Sequence, residues 1–217
     1  GVANPILIDS IVGNFQDVGI IIYNNGLDAL VVSKEFKNFE YCYSIHQLYT
    51  VNDSGRKLYR KHSYYDLYRT KNDYSDLQVV SHRLNGNVVI GLKSKKELTA
   101  SYVKLVSFIK QPDGTFVYGS KANCFRQGKR IGTYGLVSDG QSRVFVITYS
   151  PNSLGILAAT WNGMNVEAVL NEVPNNFIIS ATDSRKLFIS YVRCWSDSNT
   201  STKFECFFNS EGFTDYS

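Results

Sequence analysis

Ser138-Asp139-Gly140-Gln141-Ser142-Arg143-Val144-Phe145-Val146-Ile147-Thr148-Tyr149, followed by Gly155-Ile156-Leu157-Ala158-Ala159-Thr160-Trp161-Asn162-Gly163, reads as turn, strand, loop, strand, turn. Asp-Gly and Asn-Gly supply the positive φ that a tight hairpin needs. The β-branched and aromatic residues between them favour extended backbone.

Working outward, the same pattern recurs. A first turn stands at Asn24-Asn25-Gly26, Asn85-Gly86, Asp139-Gly140 and, more weakly, Asp183-Ser184. A second stands at 52–55, Pro112-Asp113-Gly114, Asn162-Gly163 and 209–212. From Gly26 to Gly55, Gly86 to Gly114, Gly140 to Gly163 and Ser184 to Gly212 the separations are 29, 28, 23 and 28 residues. Apolar runs flank and fill each interval: 18–23, 29–32, 41–49 and 57–59 in the first, 77–84, 87–92, 102–109 and 115–118 in the second, 131–137, 144–148, 156–161 and 166–169 in the third, 177–181, 187–191 and 204–208 in the fourth. Four strands per unit is the signature of a propeller blade. The expected fold is therefore a single all-β domain, 1–217, of four β-propeller-like repeat units at roughly 13–71, 72–126, 127–173 and 174–217. The segment 5–10 would supply the missing outer strand of the last unit. An antiparallel β-sandwich or barrel is the alternative, since it too shows short strands and frequent turns. Short helices have room only at 63–70 and 93–101.

Composition agrees with a globular β protein: 15 Tyr and 13 Phe stand against one Met, and charged residues make up 19%. No apolar run is long enough for a membrane-spanning helix. The chain opens on Gly1, which reads as a processed or excised chain, so a missing leader does not exclude export. Of the four Cys, Cys42, Cys124, Cys194 and Cys206, none forms a CxxC pair, which speaks against zinc. Cys194 and Cys206 lie on neighbouring strand candidates and are the disulfide candidates. Asn52 and Asn199 open N-glycosylation sequons. Together these features suggest a secreted glycoprotein or a cell- or virion-surface location.

Catalytic motifs are missing. The three His, His46, His62 and His82, have no metal-ligand spacing, and no cofactor or metal site is expected. Gly128-Lys129-Arg130 falls short of a phosphate-binding loop, and no GxSxG is present. Asp113, Asp139 and Asp183 would be the carboxylates of a propeller-type glycoside hydrolase, but each also suits a turn. The chemistry-bearing stretch is 55–71. It holds six Lys or Arg against one Asp, interleaved with four Tyr. Arg offers a bidentate fork to anions and Tyr a flat face to a ring. Arg56, Lys57, Arg60, Lys61, Tyr64, Tyr65 and Arg69 are accordingly the ligand-binding candidates, joined by Trp161 and Trp195 beside turns. A net charge of +4 is too mild for a dedicated nucleic-acid protein. The expectation is a non-enzymatic, lectin-like or attachment domain whose partner is a glycan, anionic in one version, or a protein receptor. The rivals are the glycoside hydrolase and an intracellular interaction scaffold. Ligand identity and oligomeric state have no signature in the sequence.

Overall fold

The computed structural model describes residues 13–23, 28–51, 57–82, 85–95, 101–125, 131–138, 143–150, 153–162, 164–168, 177–179, 188–198 and 201–209; at 22–23, 28, 48–51, 57–66, 149–150, 153–154, 156 and from 177 onward it describes the main chain. The chain is all-β, with no helix among the described residues. It divides into two compact units, Gly1–Asp73 and Tyr74–Ser217. The expected closing strand at 5–10 lies outside the described residues. No helix among the described residues is long and apolar enough to cross a membrane.

The first unit is one four-stranded antiparallel sheet in the order β1 (Phe15–Tyr23), β2 (Asp28–Lys37), β3 (Glu40–Val51), β4 (Lys57–Thr70). Leu30, Val32, Tyr43 and Ile45 are buried on its two middle strands, where Val32 is the register partner of Ile45. The short helix expected at 63–70 is instead part of β4. Tyr-rich sequence suits a pleated surface, and Tyr68 pairs across the strand with Tyr43, ring centroids 5.8 Å apart. That cross-strand aromatic contact rewards the extended form.

The second unit opens with two more antiparallel meanders. One is β5 (Tyr74–Ser81), β6 (Val88–Ser94), β7 (Tyr102–Lys110) and β8 (Phe116–Phe125). The next is β9 (Thr133–Ser138), β10 (Arg143–Ser150), β11 (Ser153–Trp161) and β12 (Val166–Ala168). Of the second helix candidate, 93–101, residues 93–94 belong to β6 and 96–100 lie outside the described residues. The last sheet departs from the meander. It runs β13 (Phe177–Ile179), β15 (Ser201–Asn209), β14 (Phe188–Ser198), with β13 parallel to β15. β14 and β15 close locally at Ser198 and Ser201, the cheaper contact in chain entropy, which leaves the far edge of β15 to β13.

The second and third sheets stack face to face, like strand beside like strand: β5 lies beside β9, and β8 beside β12. Val89, Val103, Leu105 and Cys124 from one meet Leu136, Val144, Val146, Leu157 and Trp161 from the other in a single cluster. Each large apolar side chain so buried contributes about 1.5–3 kcal/mol. Polar latches, worth about 1 kcal/mol each, align the two sheets. Gln78 bonds the main chain of β9 at both Tyr134 O (2.5 Å) and Leu136 N (2.8 Å). At the other edge, Ser120 Oγ accepts from Val166 N at 2.7 Å. Gly91 permits this closeness, since a Cβ there would sit 2.8 Å from Tyr134 Oη.

Candidate functional site

β4 is an edge strand: its only sheet neighbour among the described residues is β3. Its 14 residues hold most of the basic, Tyr-rich stretch. Lys57, Arg60 and Lys61 pair in register with Val51, Leu48 and Gln47. Tyr65 pairs with Ile45 and Arg69 with Cys42, while Tyr64 lies in the register shift between the Tyr65 and Lys61 pairs. Arg69 is exposed, and Arg56 lies outside the described residues.

Extended geometry changes what these residues can do. At about 3.3 Å per residue, Lys57 to Lys61 spans about 13 Å, and Arg69, which pairs five positions further along β3, stands about another 17 Å along the strand. Residues that read as one cluster in sequence are strung along a line. Such a line cannot close around one small anion. It does match the charge spacing of an extended polyanion.

Trp161 is in a different setting from the surface position its neighbouring turn suggested. It is fully buried in the core of the second unit, where the ring of His82 meets it edge-on at 5.1 Å. Its Nε1 has no hydrogen-bond partner among the described residues. Its ring therefore packs the core and offers no stacking face to a ligand at the surface. Trp195 lies on β14 opposite Lys203. Cys194 is opposite Phe204 and Cys206 opposite Val192, so the two cysteines are offset by two register positions. Cys42 and Cys124 are both buried. Asn52 and Asn199 lie outside the described residues, as do Asp139 and Asp183. Asp113 serves its own turn, accepting from Thr115 N at 2.9 Å and Thr115 Oγ1 at 2.6 Å.

Among the described residues no group of His, Cys, Asp and Glu could hold a metal. One pair has the form of a nucleophile and its base, Ser33 Oγ and His46 Nε2 at 2.9 Å on β2 and β3. Both residues are buried, so no substrate reaches them and the contact reads as internal satisfaction of a buried hydroxyl. Sequence reading missed the charge of the second sheet. Its strands carry Lys93, Lys104, Lys110 and Lys121 against Asp76 alone. The residues are scattered between positions 76 and 121, and only strand pairing puts them on one sheet. Comparison with protein-family models, with curated proteins and with solved structures finds no match.

Proposed function

We propose that the chain is a non-enzymatic recognition domain that binds an extended anionic glycan along the β4 edge, at the cell or virion surface or in secreted form. The observation that carries this reading is a long edge strand bearing Lys57, Arg60, Lys61 and Arg69. A repeating sulfate or carboxylate polymer meets such a row several times over, and each contact releases counterions. The finer fold proposed with it is a small β-propeller whose sheets are the blades. Three four-stranded meanders, two of them stacked like strand on like strand, support it. The hydrolase reading gains nothing from Asp113, whose carboxylate is occupied by its turn.

Charged residues on an edge strand also deter pairing with other chains, so the test must separate binding from edge protection. Wild type and the Lys57→Ala/Arg60→Ala/Lys61→Ala variant are titrated with a sulfated polysaccharide at several salt concentrations. The variant is expected to bind more weakly and to lower the log–log salt slope by about 2–3. Equal slopes, with self-association of the variant, would assign the charges to edge protection and remove the proposal. Absence of polysaccharide binding in the wild type would favour a protein receptor.

A further inference from the structure

Two described lysines are almost buried: Lys34, 4% exposed, and Lys104, 9% exposed. Both lay the ammonium over a tyrosine ring, Lys34 at 4.7 Å from the centroid of Tyr41 and Lys104 at 5.2 Å from that of Tyr74. Lys34 is completed by a carboxylate, Asp73 Oδ1 at 2.6 Å. Lys104 has no such partner: it makes no ion pair and no hydrogen bond among the described residues. Its Nζ is not one of the fully buried atoms without a partner, so the ammonium keeps some contact with water, while burial of its stem strips part of its hydration and favours an anion or acceptors in its place. A ring face replaces them only in part. The one carboxylate on β5–β8, Asp76, is held by Lys93 at 2.8 Å, so the sheet has no acid of its own for Lys104.

The register places the rest of a site around it. Asn123 is directly opposite Lys104, and Lys121 is two positions along the same strand, opposite Val106. Opposed residues have Cβ atoms about 5 Å apart and diagonal ones about 7–8 Å, so Lys104, Lys121 and Asn123 rise from neighbouring positions on one face of the sheet, with the Lys104 ammonium on the Tyr74 side. Lys121 and Asn123 are exposed. In the next row Phe125, 54% exposed, packs at 5.1 Å on Tyr102. Tyr102 is itself held by a hydrogen bond of 3.1 Å between its hydroxyl and that of Tyr74. The result is a fixed aromatic face beside an uncompensated positive charge. An aromatic face takes the apolar side of a ring, and the cations take an acidic substituent.

We propose that Lys104, Lys121 and Asn123, with Phe125 and Tyr102, form a binding site for an acidic sugar, its carboxylate or sulfate held by the two lysines and the amide and its ring laid on Phe125. This site belongs to the second compact unit and is independent of the β4 edge. It stands if the β4 reading fails.

The test follows the amide signals of β7 and β8 by NMR while the full chain is titrated with a uronate-bearing disaccharide, its neutral counterpart and inorganic sulfate. The acidic disaccharide is expected to saturate these signals at a concentration about tenfold or more below that of the neutral one. Lys104→Met keeps the buried stem and is expected to lose about tenfold in affinity. Asn123→Asp sets a carboxylate opposite Lys104. It is expected to abolish uronate binding and to raise the thermal midpoint, a pairing of effects that mere loss of a contact would not produce. Should Lys104→Met not fold, Asn123→Asp and Lys121→Ala, both at exposed positions, carry the test. Equal binding of acidic and neutral sugars, or undiminished binding by Asn123→Asp, overturns the site. Sulfate binding as tightly as the disaccharide, unchanged in Phe125→Ala, overturns the sugar assignment. Loss of the β7 and β8 shifts in the Lys57→Ala/Arg60→Ala/Lys61→Ala variant would assign them to β4 and likewise overturn it.

Discussion

Single residues differ here chiefly in whether burial leaves them compensated. Cys124 sits in the core of the second unit, and desolvation pushes its thiol from an ordinary 9.0 up to about 12. It is therefore neither a nucleophile nor a metal ligand at neutral pH. Below pH 9 the thiol is protonated in both folded and unfolded chains, and its contribution is fully present. As pH rises from 9.0 toward about 12 the unfolded chain ionises and the folded one does not. Stability then falls by about 1.4 kcal/mol per pH unit. Cys124→Ala should be less stable than wild type by about 1–2 kcal/mol at neutral pH, from the cavity it leaves. At about pH 10.5 the wild type has lost about 2 kcal/mol that the variant has not, so the gap closes or reverses. Urea unfolding of both proteins at the two pH values checks this, and a constant gap would refute it. Nothing in the sequence distinguishes Cys124 from a surface thiol, or Trp161 from a surface tryptophan, because burial is a property of neighbours brought in from other strands.

Elements were legible wherever a turn carries its own chemistry. At Asn85-Gly86, Gly86 has φ of 72° and its N–H donates to His82 O. At Pro112-Asp113-Gly114, Gly114 has φ of 83° and Gln111 N donates to Thr115 O at 2.6 Å. The turn between β2 and β3 has no glycine and escaped notice. Asn38 and Phe39 form it, with φ of 50° and 63°, between the register partners Lys37 and Glu40. Two positive φ values suit the right-handed twist of a hairpin, and Asn tolerates them, but a bulky residue does so at a cost of about 1–2 kcal/mol. Phe39 is 89% exposed, so little packing offsets that cost. Phe39→Gly should stabilise the fold by about 0.5–1 kcal/mol after the greater flexibility of the unfolded chain is deducted. A denaturation midpoint that does not rise would show that the phenyl ring supplies an unseen contact. The helix reading of 63–70 failed for a related reason: eight residues rich in Tyr take their form from the strand they meet, here β3.

The whole chain carries +4, a modest figure that hides uneven placement. β4 draws its charge along one edge, while β5–β8 gather four lysines against one acid. Both features follow from strand pairing, which strings the charges of β4 along the fourth strand of one meander and gathers lysines of β6, β7 and β8 on another. The proposed propeller can be checked at this scale by X-ray scattering. A compact chain of this length has a radius of gyration of about 17 Å. A value well above that would mean that the sheets do not close into one body, and the ring would have to be abandoned.

The sequence by itself determined the all-β class, three four-strand meanders and the last hairpin, because short β-branched and aromatic runs and Gly, Asn and Asp turns act locally, over a few residues. Only the tertiary structure decided that Trp161 belongs to the core, that the basic stretch is a line, and that Lys104 is almost buried with no acid paired to it among the described residues. Those properties depend on which distant strands become neighbours and on how much water each side chain loses there, and neither quantity is written in any single segment.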